Sequence, residues 1–582
     1  TIFRSRIKGL ATVKQHARSL LMSLKAHVDA SEAELLCADT PRTVETTTPY
    51  RWARIALGSV LACGFVVAIC SGRTRPQPWV DVTELLQEAE KPGAFPGGVC
   101  DEDATDHFEA SGVSLRTHKI PSWFREAKLG IFIHWGLYSV PAFASTRYTF
   151  HQKVRDKHDL ELHWPYAEWY LHSSIISGSA TAKVHQRRYG EPPSEESYLK
   201  QFVPRFNKQA AKWDPATWVN AFKGAGAKYV VLTSKHHDSF CLWPSRVRNP
   251  QRKHEYQHAT RDIVGELTRA VRGAGMEMGL YYSGGFDWSF YLHRDNKVPG
   301  NKSYEDLAYD HMEELIARYR PAILWDDIDW PGKGREKRLK LDAMLAHYFN
   351  EACPEGVVND RWWKWRTPQH ETSQSNLYRG DYGTPEYETV PTVSADYFEM
   401  CRGIGKSFGY NAEEDEDDYM SPAEAAWLLA DVTARNGNLL LDVGPMANGT
   451  IPAGQMRVLR GLAAWMDLNS EAIHGATPYL PPLSSVGADV RYTKKDDVIY
   501  AILRSAGRQV QLDRSELLEA GVVCEALLPA GATRLALENV GWSGWPWSRS
   551  QIRAWRLPPG PLGLHGMPVV LRLRLSSVRG RT

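Results

Sequence analysis

From about residue 116 onward, short apolar runs alternate with helix-like stretches, and this alternation constrains the fold more than any other feature of the chain. The runs include "KLGIFIHWG", "AKYVVLTSKHH", "EMGLYYSGG", "PAILWDD", "GVVND", "SFGYN" and "NLLLDVGP". Between them lie "PATWVNAFKGAG", "RDIVGELTRAVRGAG", "YEDLAYDHMEELIARY" and "SPAEAAWLLADVTARNG". Strand and helix alternating this often predict a parallel sheet. The runs end in polar residues (His, Ser, Asp, Asn), as expected where strand C-termini open onto a site. A (β/α) TIM-like barrel satisfies this best, because its site gathers side chains from several strand ends. A doubly wound open sheet is the alternative, but no GxGxxG follows any strand. After about residue 476 the helical pattern stops. "ADVRYTKKDDVIYAILRS", "GVVCEALLP", "TRLALENV" and "MPVVLRLRLSS" then alternate with turns, as in a small C-terminal β-sandwich.

A chain of 582 residues is too long for one core. The expected division is a polar tail (1–54), an apolar segment (55–72), a Pro/Gly-rich linker (73–115), the barrel (116–475) and the sandwich (476–582). The apolar stretch "IALGSVLACGFVVAIC" follows Arg51 and Arg54 and reads as an uncleaved signal anchor or a signal h-region. Either one directs the bulk of the chain into the secretory lumen or outside the cell. The first gives a single-pass type II protein, and a lysosome-like compartment is a further destination. Asn301 in "NKS" is then an expected glycosylation acceptor, whereas Asn448 in "NGT" is expected to be packed. Lys and Arg number 70 against 68 Asp and Glu, a formal charge of +2, which gives no electrostatic case for nucleic acid. Eight cysteines show no CxxC pair and no zinc spacing, so no disulfide framework is expected.

"ILWDDIDW", residues 323–330, places three aspartates among aliphatic and aromatic residues. Carboxylates in a buried strand are costly unless paired or used. Side chains alternate along a strand, so Trp325 and Asp327 share one face and Asp326 takes the other. With Trp325 lining the barrel mouth, Asp327 emerges at the strand's C-terminal end. Glycoside hydrolysis needs a carboxylate in such a place, with a second carboxyl about 5–5.5 Å away in retaining enzymes. The plainer alternative is an Asp that caps the following loop.

Here the residues resemble a family, the α-L-fucosidases of glycoside hydrolase family 29, over about residues 116–475. The blocks that carry the resemblance include "WFREAKLGIFIHWGLYSVPAF", "AEWY", "GAKYVVLTSKHHDSFCLWPS", "GLYYSGGFDW", "LWDDIDWP", "VNDRW", "TPEY", "FEMCRGIGKSFGYN" and "GNLLLDVGPMANGTIP". The resemblance implies that Asp327 is the nucleophile, in a motif that usually reads W-N-D-x-G-W. Asp326 replaces its Asn and Asp329 its Gly, and both changes add negative charge beside the nucleophile. It implies Glu386, in "TPEY", as the acid/base, with Glu399 in "FEMCRGIG" as the second choice. His134, His236 and His237 match hydroxyl ligands, and Glu168 and Trp169 match residues that close over the sugar. Tyr281, Trp325 and Arg361 match further pocket members, with Tyr282 the alternative to Tyr281. Adjacent histidines on a strand point oppositely, so His236 and His237 both reach the site only if a twist or bulge intervenes.

The expected activity is a retaining exo-α-L-fucosidase that acts on fucosylated glycans or glycoconjugates and needs no cofactor. A catalytic metal is not expected, because no HExxH or helical i, i+4 ligand pair occurs, and no G-x-S-x-G elbow occurs either. The competing expectation is a fucose-binding, lectin-like protein that has lost catalysis. Transfucosylation would use the same residues.

Overall fold

Seven short strands form one parallel sheet. They are β1 (Leu129–Ile133), β2 (Tyr229–Lys235), β3 (Glu277–Ser283), β4 (Ile323–Asp327), β5 (Val357–Val358), β6 (Phe398–Gly403) and β7 (Gly437–Val443), in the order β5-β4-β3-β2-β1-β7-β6. The computed structural model describes residues 107–575, except 150–151, 153, 292–301, 364–376, 389–391, 480–488, 513–514, 520, 544–549, 560–563 and 565. The tail, the apolar segment, most of the linker, Asn301 and much of the insert after Trp363 lie outside the described residues. No helix among the described residues is long and apolar enough to cross a membrane.

An irregular segment, residues 381–386, closes the two sheet edges. Asn359 bridges Tyr382, and Gly383 and Glu386 bridge Phe398 and Cys401, all in parallel. The Asp381 N–H donates to the Val358 carbonyl at 2.8 Å. The Glu399 and Cys401 N–H groups donate to the Gly383 and Pro385 carbonyls at 2.8 and 3.1 Å. These bonds satisfy edge groups that would otherwise be open and turn the sheet into a ring.

Strand parity sorts the side chains. Phe132, Tyr229, Val231, Tyr281, Ile323, Trp325, Cys401 and Leu440 pack together inside the ring. Ile131, Ile133, Val230, Leu232, Leu280, Leu324, Leu439 and Leu441 join the larger outer core. That core meets α1 (Pro215–Gly224), α2 (Ile263–Gly273), α3 (Lys302–Tyr319), α4 (Gly334–His347), α5 (Pro422–Ala434) and α6 (Ala453–Asn469). Local chemistry sets the helix starts. The Asp214 and Asp262 carboxylates accept from the first-turn N–H groups of α1 and α2, and Ser421 and Glu424 form a capping box on α5. Each such cap contributes about 1 kcal/mol.

The remaining strands form two antiparallel sheets. The first runs β13-β12-β16-β10-β9-β8, from β8 (Thr477–Pro478), β9 (Val490–Lys495), β10 (Val498–Leu503), β12 (Val522–Leu528), β13 (Gly531–Arg534) and β16 (Val569–Leu575). The second runs β11-β15-β14, from β11 (Gln509–Val510), β14 (Ala536–Ser543) and β15 (Ser550–Arg556). Ile499, Ala501, Leu503, Leu571 and Leu573 form the core between them with Trp555. The intervening Tyr500, Ile502 and Val570 join the barrel's outer core. The central strands β10 and β16 of the larger sheet are therefore buried on both faces, and the Trp465 indole of α6 donates to the Pro568 carbonyl at 2.8 Å. Cys241, Cys353, Cys401 and Cys524 are buried, and Asn448, expected to be packed, is exposed.

Candidate active site

The residue one strand repeat beyond each inward aromatic or aliphatic side chain reaches the C-terminal end of the ring. His134 follows Phe132, Asp327 follows Trp325 and Asp442 follows Leu440. These ends surround a cavity of about 260 Å³ lined by His134, Glu168, Trp169, His236, His237, Tyr281, Trp325, Asp327, Arg361 and Glu386. All ten residues expected from the sequence therefore line one cavity. Its volume falls below the ~300–1,000 Å³ of drug-sized sites, which suits a single monosaccharide. A larger cavity, about 660 Å³, shares only Tyr166 with it and contains neither Asp327 nor Glu386.

Asp327 is held at both oxygens. Tyr281 Oη donates to Oδ2 at 2.8 Å and Arg361 Nη1 to Oδ1 at 2.8 Å. The other arm of the same guanidinium, Nη2, donates to Glu386 Oε2 at 3.2 Å, and Tyr166 Oη donates to Glu386 Oε1 at 3.1 Å. Arg361 is itself fixed. Its Nε donates to Thr384 Oγ1 at 2.9 Å, and its Cζ lies 4.6 Å from the centre of the Trp325 ring. One buried cation thus spans the two carboxylates, and its rigid fork sets their separation.

Glu399 sits elsewhere. It is fully buried one layer deeper, accepting from Tyr229 Oη at 2.6 Å and Trp325 Nε1 at 2.8 Å, and burial pushes it up to about 7. The Trp325 ring covers it, so the second choice for the acid/base has no access to the cavity. Tyr282 faces outward to His311 at 3.1 Å, so of the adjacent pair it is Tyr281 that lines the cavity.

The two extra aspartates are handled separately. Asp326 is fully buried on the outer face of β4, and burial, then the Asp327 charge, push its carboxyl well above the usual range. Asp329 pairs with Lys337. The negative charge expected beside the nucleophile is therefore moderated, because burial disfavours the charged form of Asp326 and Lys337 sits behind Asp329. The tight fit of the β4 turn depends on the facing "SGG". A β-carbon at Gly284 would come within 2.4 Å of Asp326 Oδ1, and one at Gly285 within 1.9 Å of the Ile328 carbonyl oxygen.

The histidines present neutral rings. Burial pushes His134 down to about 3 and holds His236 and His237 well below their usual range. Asp442 Oδ1 lies 2.6 Å from His134 Nδ1, and Ser283 Oγ lies 2.5 Å from His237 Nδ1, which leaves Nε2 of each ring for a ligand. His236 and His237 both line the cavity because they lie past the end of β2, where the pairing register with β3 shifts between Thr233 and Lys235. Glu168, pushed up to about 7 by burial, accepts from the Gly409 N–H at 2.8 Å and Ser407 Oγ at 3.2 Å. Among the described residues no group of three or more His, Cys, Asp or Glu is disposed to hold a metal ion.

Residues that the sequence reading did not single out complete the wall, together with Asp329: Phe132, Trp164, Tyr166, Phe286, Ile328, Cys401 and Phe408. Phe408 stacks on His134 with ring centres 4.9 Å apart. Several of these lie inside blocks already quoted, and Tyr166 stands immediately before "AEWY".

The family model described as alpha-L-fucosidase matches residues 98–471. This chain belongs to the α-L-fucosidase family. The tissue α-L-fucosidase of Rattus norvegicus is 33% identical over 408 residues, covering 68% of this chain and 79% of that protein. The α-L-fucosidase of Dictyostelium discoideum is 32% identical over 371 residues, covering 63% and 74%. The crystal structure of Thermotoga maritima α-fucosidase in complex with fucose superposes with a TM-score of 0.64 at 34% identity, covering 80% of this chain and all of that one. The fucosidase family thus occupies the barrel that carries the paired carboxylates.

Proposed function

We propose that the protein is a retaining exo-α-L-fucosidase acting on terminal α-linked fucose of glycans. The observation that carries this reading is the Arg361 fork between Asp327 and Glu386. An Asp327 oxygen attacks the anomeric carbon as Glu386 gives its proton to the leaving oxygen, forming a fucosyl ester and releasing the alcohol. Glu386, now a carboxylate, takes a proton from water, which attacks the ester and frees Asp327. Asp327 loses its charge as Glu386 gains one, so Arg361 faces one carboxylate anion at each stage. His134, His236, His237, Glu168 and Trp169 bind the ring hydroxyls, and Phe132 and Phe408 give the methyl group an apolar wall.

Hydrolysis of an aryl α-L-fucoside tests this. Asp327→Ala is expected to lose at least about 10³-fold in kcat. Glu386→Ala is expected to accumulate fucosyl-enzyme with a good leaving group and to yield β-fucosyl azide when azide is added. Binding of fucose with no turnover by the wild type would instead support the lectin-like reading, which the two intact, adjacent carboxyls disfavour.

We also propose that the catalytic part faces the secretory lumen or the exterior, directed there by residues 55–72 as a signal anchor or a signal h-region. Relatives named tissue and plasma α-L-fucosidase support the compartment, and the basic residues before the apolar stretch support the orientation. Protection of the barrel from protease in sealed microsomes is the expected result.

A further inference from the structure

The mouth of the catalytic cavity carries a charge that the proposed chemistry does not use. Trp169, Phe286, Asp327, Ile328, Asp329 and Glu386 are its partly exposed lining residues. Asp329 has φ +85° and Ile328 φ +66°, both in the left-handed region. The Asp329 N–H is tied to the Arg361 carbonyl at 3.0 Å, so the turn is fixed to the element that holds the nucleophile. The Asp329 side chain is 38% exposed. Its partner Lys337 is only 5% exposed, and the Lys337 ammonium lies 4.6 Å from the centre of the Trp363 ring. The pair is therefore oriented, with its anion towards the mouth and its cation packed behind.

A cavity sized for one sugar admits the fucosyl ring alone, and whatever is attached to its anomeric oxygen projects through the mouth. We infer that Asp329, set among the apolar Phe286 and Ile328, selects the leaving group, favouring neutral or amine-bearing sugars and excluding those with sulfate or carboxylate substituents. An apolar rim packs on the C–H face of a pyranose, while a carboxylate accepts from its hydroxyls or an ammonium and repels a second anion. This rests on the fucosidase reading and adds to it the class of the adjoining sugar.

The test uses the full chain and three nitrophenyl α-L-fucosides whose phenol ring carries a carboxylate, the corresponding neutral amide or an ammoniomethyl group. Comparing each substrate between wild type and Asp329→Asn cancels differences in leaving ability. Asparagine keeps the shape and tolerates the left-handed backbone. With the amide substrate as reference, the expected changes in kcat/KM are a gain of about fivefold for the carboxylate substrate and a similar loss for the ammonium substrate. Both effects should shrink at high salt. A uniform factor across all three substrates would overturn the inference and leave Asp329 with a structural role only. Failure of the wild type to cleave any of the three would overturn the fucosidase reading itself, and this inference with it.

Discussion

Asp326 and Asp327 are neighbours in sequence with opposite environments. Asp327 accepts from both Tyr281 and Arg361, whereas neither carboxyl oxygen of Asp326 makes a hydrogen bond of good geometry to a described residue. Its raised proton affinity makes a neutral amide its close substitute. Asp326→Asn is expected to keep kcat/KM within about threefold and to raise thermal stability by more at pH 7 than at pH 4. The sign follows from linkage. Unfolded, the carboxyl ionises near its ordinary value, whereas folded it stays protonated to higher pH, so wild-type stability falls across that interval and Asn removes the fall. An equal change in Tm at both pH values would show that Asp326 is ionised in the fold. Strand parity made the inward and outward assignments of Trp325, Asp326 and Asp327 legible in the sequence. Depth was not legible. Glu399 and Cys401 share the inward face of β6, yet only Cys401 borders the cavity, and parity cannot rank residues along the barrel axis. Glu399→Gln is therefore expected to show no azide rescue, in contrast to Glu386→Ala.

Two irregular elements do what no regular strand or helix could. Residues 381–386 close the ring and end on Glu386, with Gly380 at φ +108° before them and Tyr387 at φ +54° after them. Three isolated bridges and a proline give no alternating pattern to read, so the sequence revealed the residue only through its "TPEY" block. The second element is the turn over residues 406–411 that delivers Phe408. Glu414 Oε1 accepts from the N–H groups of Lys406 and Ser407, both at 2.8 Å, and Glu168 accepts from Gly409 on the other side. Removing Glu414 strands two donors that are partly or fully buried, at about 1–3 kcal/mol each before water relieves them. Glu414→Ala is expected to lose about 2 kcal/mol in urea unfolding and to raise KM more than it lowers kcat, because the turn shapes the sugar wall and carries no reacting atom. A fall in kcat at unchanged KM would show that the turn acts on the chemistry instead.

At the scale of the whole molecule, alternating apolar runs made the barrel and the sandwich legible, while the way burial distributes charge emerged only from the packed structure. Glu168 and Glu399 are pushed up to about 7 and Glu414 to about 8. His134 is pushed down to about 3, and His311 and His474 to about 4. The two sets act on stability in opposite directions. Between about 4.5 and 7–8 the folded carboxyls hold protons that the unfolded chain has released, so stability falls as pH rises. Between about 6.5 and 3–4 the unfolded histidines bind protons that the folded ones refuse, so stability falls as pH drops. Each group contributes at most about 1.4 kcal/mol per pH unit within its window. Above about 6.5 only the carboxyl effect remains, and below about 4.5 only the histidine effect, so stability is expected to peak between those values. Thermal unfolding at pH 3.5, 5.5 and 8 should give the highest Tm at 5.5, and Glu414→Gln should flatten the alkaline side while leaving the acid side unchanged. A Tm that rises steadily to pH 8 would mean that these buried carboxyls ionise in the fold well below the values their burial implies.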